Sequence, residues 1–376
     1  MAQEKKRFRE LDVLKGVAIA MVLLGHSIIE YPVDLSEIPW CKYLHWFVSS
    51  VHMPLFFAIS GYCFSFRGWK GYLDKKCRRI LIPFLVFSVL GLLSRVLMPS
   101  MVNGSAQLSQ ALVSILTGGT HWFLYTLFLI FLIFPLVKVF FETDRTGLLC
   151  IAPLALLHFF GFWPKLFNLV NLVRYSFFFA SGYYLKCLIA RKPGTGEKLL
   201  RAVKHPVTIL LGLAVWALLT QVRIRLDAAT AEAALEDALA AEPQLGGFAF
   251  LLAKLAEAGE QIREGLTAEK LISLDAVAKF CAALAGIPAV VGLTLWFSRL
   301  RASRLFETAG QDSLQLYLFN GYLMTITRWL VVTRLHVHAP IVIIAANFFV
   351  MFFVSLAIIE LIVKRVKLFR TLTGMV

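Results

Sequence analysis

Long apolar segments alternate with short polar ones along most of the chain. Closed strand barrels alternate polar and apolar residues, and these segments do not, so we expect helices. A membrane-spanning helix needs about 20 largely apolar residues. Ten segments meet or approach this length: residues about 12–30, 43–64, 80–98, 121–141, 147–163, 167–187, 206–222, 275–297, 312–332 and 340–363. The pattern predicts an all-α polytopic membrane bundle of about ten transmembrane helices.

One segment, residues 223–272, differs from its surroundings because it is rich in Ala, Glu and Leu and poor in Phe. It predicts a helical extracytoplasmic insert of two helices joined near Pro243 and Gly246. Its near-ideal helix composition is also what a variable or engineered loop would have. The sequence alone does not decide whether the insert is native. The expected division is a transmembrane core of seven spans over residues 1–222, the insert, and three further spans over residues 273–376.

Composition supports a membrane protein and sets its orientation. Of 376 residues, 59% are hydrophobic and 16% charged, against roughly 45–50% and 25% in soluble domains, which excludes a water-soluble enzyme. The net charge of +15 comes mainly from Lys and Arg in alternate loops, which predicts both termini in the cytoplasm and no nucleic-acid partner. The first span is expected to be retained and not cleaved as a signal peptide. The six cysteines lack metal-ligand spacing, so no metal site is predicted.

The first span contains two ionisable residues, Lys15 and His26. Eleven positions at about 100° per residue leave them on one helical face, and a rise of about 1.5 Å per residue separates them by about 16 Å. Ionisable groups inside a span are functional candidates, so this face is expected to line a groove for a long ligand. The alternative is that Lys15 extends to the headgroups and His26 bonds a neighbouring helix.

A basic cluster follows the second span: Lys70, Lys75, Lys76, Arg78 and Arg79. Lys76 and Arg79 share a helical face at the cytoplasmic end, which suits a phosphate-bearing ligand. Ordinary positive-inside bias explains the number of charges equally well.

Further polar and aromatic residues are weaker candidates for contacts with a substrate. Each has a structural alternative: helix packing for a histidine within a span, an interfacial belt for an aromatic residue near a span end, and extension of an arginine to the headgroups. Polar residues at steps of four and three in the ninth span must face protein or a cavity. The candidates are His52, His121, Trp122, Arg174, Ser313, Tyr317 and Asn320.

Taken together, these motifs resemble the integral-membrane acyltransferase 3 family of bacterial O-acyltransferases. The resemblance covers nearly the whole chain outside the insert. It rests on LDVLKGVAIAMVLLGHS, HMPLFFAISGYCFSF, KKCRRILIPF, HWFLYTLFLIF, FFFASGYYL and DSLQLYLFNG, in this order.

The resemblance implies roles for individual residues. A basic residue and a histidine of the first span are required for activity in the family. They correspond to Lys15 and His26, which the resemblance makes the expected catalytic residues, and Lys15 replaces the commoner arginine with a point charge. The family's Arg-x-x-Arg pair corresponds to Lys76 and Arg79, with Lys75 and Arg78 beside it. Asn320 stands where many members have histidine. No acid follows Trp122 in its motif, which places the chain in the branch without a periplasmic esterase-like domain.

The implied activity is O-acylation in the bacterial cytoplasmic (inner) membrane. The donor would be acetyl-CoA or another short acyl-CoA as co-substrate, with no permanently bound cofactor, and the acceptor an extracytoplasmic or lipid-linked glycan. His26 would be the general base, since imidazole titrates near neutral pH. The rival reading is a transporter of a small molecule or glycolipid, because spans with ionisable residues also suit a transport path.

Overall fold

The structure is a computed structural model that describes residues 9–29, 33–97, 108–160, 163–234, 247–265 and 272–375. Within these ranges the chain is helical, and the sole strand-like pairing is an isolated bridge between Phe160 and Ile272. The all-α prediction is therefore confirmed.

The α-helices are numbered in chain order. The first half contains α1 (Arg9–His26), α2 (Pro39–Tyr62), α3 (Tyr72–Lys76), α4 (Ile82–Leu97), α5 (Leu108–Leu116), α6 (Trp122–Val137), α7 (Asp144–Phe159) and α8 (Leu169–Arg191). The second half contains α9 (Thr195–Lys204), α10 (Pro206–Ala234), α11 (Gly247–Gly265), α12 (Leu274–Phe297), α13 (Ser303–Gln311), α14 (Ser313–Arg328), α15 (Pro340–Phe349), α16 (Ser355–Ile358) and α17 (Lys367–Leu372).

Several short segments of different helical pitch extend these helices. The π-helical turns are Cys77–Leu81, Trp329–Arg334, Val350–Val354 and Ile359–Val363, and the 3₁₀ turns are Lys138–Phe141 and Leu166–Asn168. The turn Cys77–Leu81 joins α3 to α4 and carries Arg79. A π-helical turn widens the helix locally and is often found at functional sites.

Each of the ten predicted apolar segments contains a helix. Among the residues that the structure describes, five helical stretches are long and apolar enough to cross a membrane: Tyr72–Ser94, Trp122–Phe141, Pro206–Asp227, Leu274–Phe297 and Pro340–Val363. The chain is thus a multi-pass helical membrane protein by composition, while the count of ten spans and their orientation stay predictions.

Two glycine contacts draw the helices around the site together. A Cβ at Gly61 of α2 would collide with the carbonyl oxygen of Phe179 in α8, and one at Gly310 of α13 would collide with that of Asp12 in α1. Small residues at both positions allow the backbones of neighbouring helices to approach closely. These contacts place α8 against α2 and α13 against α1, so that residues after Gly310 lie beside Lys15.

The insert is described only in part. Helix α10 continues without a break from the predicted seventh span into the insert as far as Ala234. Helix α11 packs near α5 and the turn Leu166–Asn168, and the side chain of Gln261 accepts a hydrogen bond from the backbone N–H of Lys165 at 3.2 Å. The predicted joint at Pro243 and Gly246 lies outside the described residues, and the domain boundaries stay predictions.

Candidate functional site

A cavity of about 820 Å³ opens inside the bundle. Its walls come from α1, α2, α6, the turn Cys77–Leu81, the segment 310–317 at the start of α14, and the last residues of the chain. One end is cationic, and the rest is mainly apolar and aromatic. Such a cavity matches an amphipathic ligand with an anionic head and a long uncharged arm.

The face of α1 predicted to line a groove does line this cavity for most of its length. Lys15, Ile19 and Val22, at steps of four and three, are part of the lining. His26 is the next residue of the same stripe and ends α1, about 6 Å further along the axis. Among the described residues, His26 is not in the lining, so the cavity ends one helical turn before it.

The cationic end contains three of the predicted basic residues. Lys15, Lys76 and Arg79 all line the cavity. The ammonium group of Lys15 pairs with Asp12 at 3.2 Å, and that of Lys76 lies 3.2 Å from the centre of the Phe131 ring. The aromatic face stabilises the ammonium group and holds it at the cavity wall.

Two further cations at this end, Lys364 and Arg370, were missed by the sequence reasoning. Lys364 follows the last apolar segment and Arg370 lies on α17, and both line the cavity. The only signal was the group of Lys and Arg residues after the last span, which positive-inside bias had already explained. Their contribution depends on how the end of the chain folds back, which local sequence patterns do not reveal.

The segment after α17 is held against the site by contacts with α14 and with the turn before α4. The side-chain amide of Gln315 donates a hydrogen bond to the carbonyl oxygen of Thr373 at 2.8 Å. Gly374 has a φ of 79°, and a Cβ there would lie 2.6 Å from the carbonyl oxygen of Arg79. Glycine is required at this position, because other residues disfavour this φ and would collide with Arg79.

Among the described residues that line the cavity, Asp312 is the one that carries a carboxylate. It is 3% exposed and pairs with Lys364 at 2.8 Å. Burial disfavours the charge of Lys364, but its hydrogen bonds to Asp312 and Glu360 outweigh this effect and raise its pKa above the ordinary value. The five lining cations outnumber the three carboxylates that pair with them, Asp12, Asp312 and Glu360, so this end of the cavity is net positive and suits phosphate groups.

The other end of the cavity is closed by aromatic rings. The ring centres of Phe56 and Phe123 lie 5.9 Å apart, and those of Phe123 and Tyr317 lie 5.5 Å apart. Three histidines surround this closed end. His26 lies one turn beyond Val22, His52 follows Val51 and precedes the lining residue Met53, and the ring of His121 is 6.3 Å from that of Tyr317.

The structure brings together only part of the predicted site. Ser313 and Tyr317 line the cavity, while Asn320, one turn further along α14, is buried and its amide nitrogen has no hydrogen-bond partner in the described part of the chain. Lys75 and Arg78 are exposed and outside the lining, and Arg78 pairs with Asp74 at 2.8 Å.

The remaining candidates lie around the closed end and not in the cavity. The Nδ1–H group of buried His52 donates to the carbonyl oxygen of Val48 at 2.7 Å. His121 approaches the hydroxyl of Ser88 at 3.4 Å, and Trp122 stacks on Tyr175 with ring centres 5.3 Å apart. Arg174 lies on α8 beside Tyr175.

The fold and the site define a multi-pass helical membrane protein whose internal cavity is cationic at one end and largely apolar beyond it. The chain belongs to the acyltransferase domain family Acyl_transf_3, whose model matches residues 8–360. The resemblance inferred from the motifs is confirmed.

Two nodulation proteins are similar to this chain. Nodulation protein NolL of Mesorhizobium japonicum is 26% identical over 221 residues, which cover 57% of this chain and 56% of the relative. Nodulation protein NolL of Sinorhizobium fredii is 26% identical over 193 residues, which cover 49% and 50%. The chain thus matches about half the length of these curated relatives. No solved structure matches it significantly.

Proposed function

We propose that this protein is an O-acyltransferase of the bacterial cytoplasmic membrane. It transfers an acetyl or other short acyl group from cytoplasmic acyl-CoA to a hydroxyl group of an extracytoplasmic or lipid-linked glycan. Membership of an acyltransferase family supports the type of reaction. The donor, the acceptor and the residue roles are inferences from the site.

The observation that carries the proposal is the polarity of the cavity along the Lys15 face of α1. Acyl-CoA has an anionic nucleotide at one end and a long uncharged arm that ends in the thioester. Lys76, Arg79 and Arg370 would hold the phosphates, and the apolar wall from Ile19 to Val22 would enclose the arm. The thioester would then reach the closed end, one turn from His26.

His26 is the proposed general base. It removes the proton from the acceptor hydroxyl as the oxygen attacks the thioester carbonyl carbon. The new C–O bond forms, the C–S bond breaks, and the CoA thiolate leaves and takes up the proton. The residues that stabilise the oxyanion would come from the polar groups at the closed end, with Tyr317 closest to the cavity. Lys15, at the opposite end of the stripe, would contact the donor phosphates.

The test is transfer of radiolabel from acetyl-CoA to a panel of glycans by the purified protein in nanodiscs. We expect His26→Ala to abolish transfer while CoA binding persists, and His205→Ala to leave transfer unchanged, because His205 is exposed. Normal transfer by His26→Ala would refute its role as base. Solute uptake into vesicles without acyl transfer would instead support the transporter.

The donor site has its own test with a matched control. Replacing both Lys76 and Arg79 with Gln should raise the KM for acetyl-CoA about tenfold or more, because two charge-assisted contacts are lost. Replacing their neighbours Lys75 and Arg78 with Gln removes equal charge outside the cavity lining and should leave this KM unchanged. Equal effects of the two double variants would show that only the net charge matters.

A further inference from the structure

A second group of charged residues lies on the His26 side of the closed end, where α2, α8, α10 and α12 meet. Arg223 of α10 forms its centre. Its guanidinium binds both carboxylate oxygens of Asp275, at 2.7 and 3.4 Å, donates to the hydroxyl of Ser50 at 2.9 Å, and lies 4.5 Å from the centre of the Trp46 ring. Arg223 is therefore fully paired.

Two other cations in this group have no such partner. Lys279 lies one turn after Asp275 on α12, but the carboxylate of Asp275 is occupied by Arg223. The Nε atom of Arg174 on α8 is buried and makes no hydrogen bond. Across the described ranges, neither Lys279 nor Arg174 forms an ion pair.

The two cations belong to one connected cluster. The Nδ1–H group of His158 donates to the carbonyl oxygen of Arg174 at 3.1 Å, and the ring of Phe280, next to Lys279, lies 4.8 Å from the ring of His158. On α2, Ser50, which binds Arg223, lies between His45 and His52 in the chain, and the Nδ1–H group of His45 donates to the carbonyl oxygen of Gly25 at 3.2 Å. Gly25 directly precedes His26, so the cluster extends from Arg174 to the end of α1 that carries the proposed base.

Three cations beside one carboxylate form an arrangement that needs a counter-ion. Charges within the membrane-spanning part of a protein are costly unless they are paired, and they mark sites of function. Like charges held together in a half-buried position repel each other. An anionic group placed between Lys279 and Arg174 would relieve this repulsion, and the guanidinium of Arg174 can bind two oxygens of a phosphate or carboxylate at once.

We propose that Arg174 and Lys279 bind an anionic group, a phosphate or a carboxylate, on the acyl acceptor and direct its hydroxyl group towards His26. The inference rests on the proposed acyl transfer and specifies the acceptor as an anionic glycan. A neutral sugar would leave both cations unpaired and would bind less tightly. The proposed site for the donor phosphates is the cationic end of the cavity, whereas Arg174 and Lys279 lie outside the cavity lining, so the two anion sites would serve different substrates.

Binding measured without any transfer tests this site separately from the proposed function. Three probes are titrated by calorimetry into the full-length protein in detergent: N-acetylglucosamine, N-acetylglucosamine 1-phosphate and glucuronate. We expect at least one anionic probe to bind tenfold or more tightly than the neutral sugar. Arg174→Gln and Lys279→Gln should each remove this preference. Arg225→Gln, an exposed cation on α10, should retain it.

Two further measurements distinguish the proposed anion site from a folding defect and from a lipid-binding site. Lys279→Gln should remain monodisperse, which shows that it is folded. Lys279→Arg should restore the anion preference, since it returns the positive charge. Equal binding of neutral and anionic probes to the wild type overturns the inference, and so does loss of anion preference when phosphatidylglycerol is added, because the cations would then belong to bilayer lipid. Anion preference without acyl transfer supports the site and refutes the proposed reaction.

Discussion

Arg328 is fully buried, with 0% exposure, at the end of α14. Its Nη2 group donates to the carbonyl oxygen of Ser27 at 2.5 Å, and Nη1 donates to that of Val33 at 2.6 Å. Ser27 directly follows His26, where α1 ends. The guanidinium therefore fixes the chain immediately after the proposed base, and we expect Arg328→Met to displace His26 without altering the donor end of the cavity.

The size of the effect follows from these bonds. Each hydrogen bond from a charged donor contributes about 1.5–3 kcal/mol, so the two bonds to this segment contribute roughly 3–6 kcal/mol to holding it. Burying the guanidinium itself costs several kcal/mol, so global stability should fall by less than this sum. The anchoring is lost in full, however. A displacement of about 1 Å at a reacting group lowers the rate by about 100-fold, and we expect kcat to fall by 10- to 100-fold.

The assay is steady-state acetyl transfer with varied acetyl-CoA, together with thermal unfolding in detergent. We expect kcat to fall while the KM for acetyl-CoA stays within twofold, and Arg328→Lys to rescue little, because one ammonium group cannot reproduce the two-pronged contact. Arg334→Met is the matched control, since Arg334 is exposed and stacks on Trp329 at 4.6 Å. A raised KM with normal kcat, or no change in either, would refute the positioning role.

Three further outcomes can be checked on the same protein. Gly61→Ala forces a Cβ into a backbone carbonyl of α8 and should lower stability by about 1–3 kcal/mol, measured by thermal unfolding, whereas Gly321→Ala, with open space around it, should not. Phe123→Ala opens the closed end of the cavity and should raise kcat/KM for octanoyl-CoA relative to that for acetyl-CoA roughly tenfold. Unchanged selectivity would show that Phe123 does not limit the length of the acyl chain. The hydrogen bond from Lys138 lowers the pKa of Glu142, so its stabilisation is complete above pH 4.5, the ordinary pKa, and is lost as the pH falls through the lowered value. The difference in Tm between wild type and Glu142→Gln should shrink over that range.

The helical architecture could be predicted because hydrophobic segment length is a local property of the sequence. The same holds for the face of α1, since helical periodicity places Lys15 and His26 on one side before any tertiary contact is known, although the described cavity lining ends at Val22, one turn before His26. The inner cations Lys76 and Arg79 were identified because their charge and spacing lie in one short segment. Local periodicity was sufficient wherever a single helix carries the feature.

Contacts between distant segments could not be predicted in this way. Lys364 and Arg370 reach the cavity only because the end of the chain folds back on Gln315 and Arg79. The unpaired state of Lys279 depends on Arg223, 56 positions earlier, taking the carboxylate that lies one turn away. Lys75 and Arg78 carry the same charge as their neighbours, yet helical phase turns them away from the cavity.

Hydropathy also explains why the Lys15 face of the cavity lies on a helix with a weak membrane signal. Helix α1 carries Arg9, Glu10, Asp12 and Lys15 and is not among the five strongly apolar helices. It packs against α2, α12, α13 and α14, so protein surrounds it. In contrast, α10 exposes Leu210, Leu211 and Leu218 on its surface, where lipid requires apolar side chains. Hydropathy therefore reports contact with lipid, and a central helix shielded from lipid is free to carry the polar groups that bind and react.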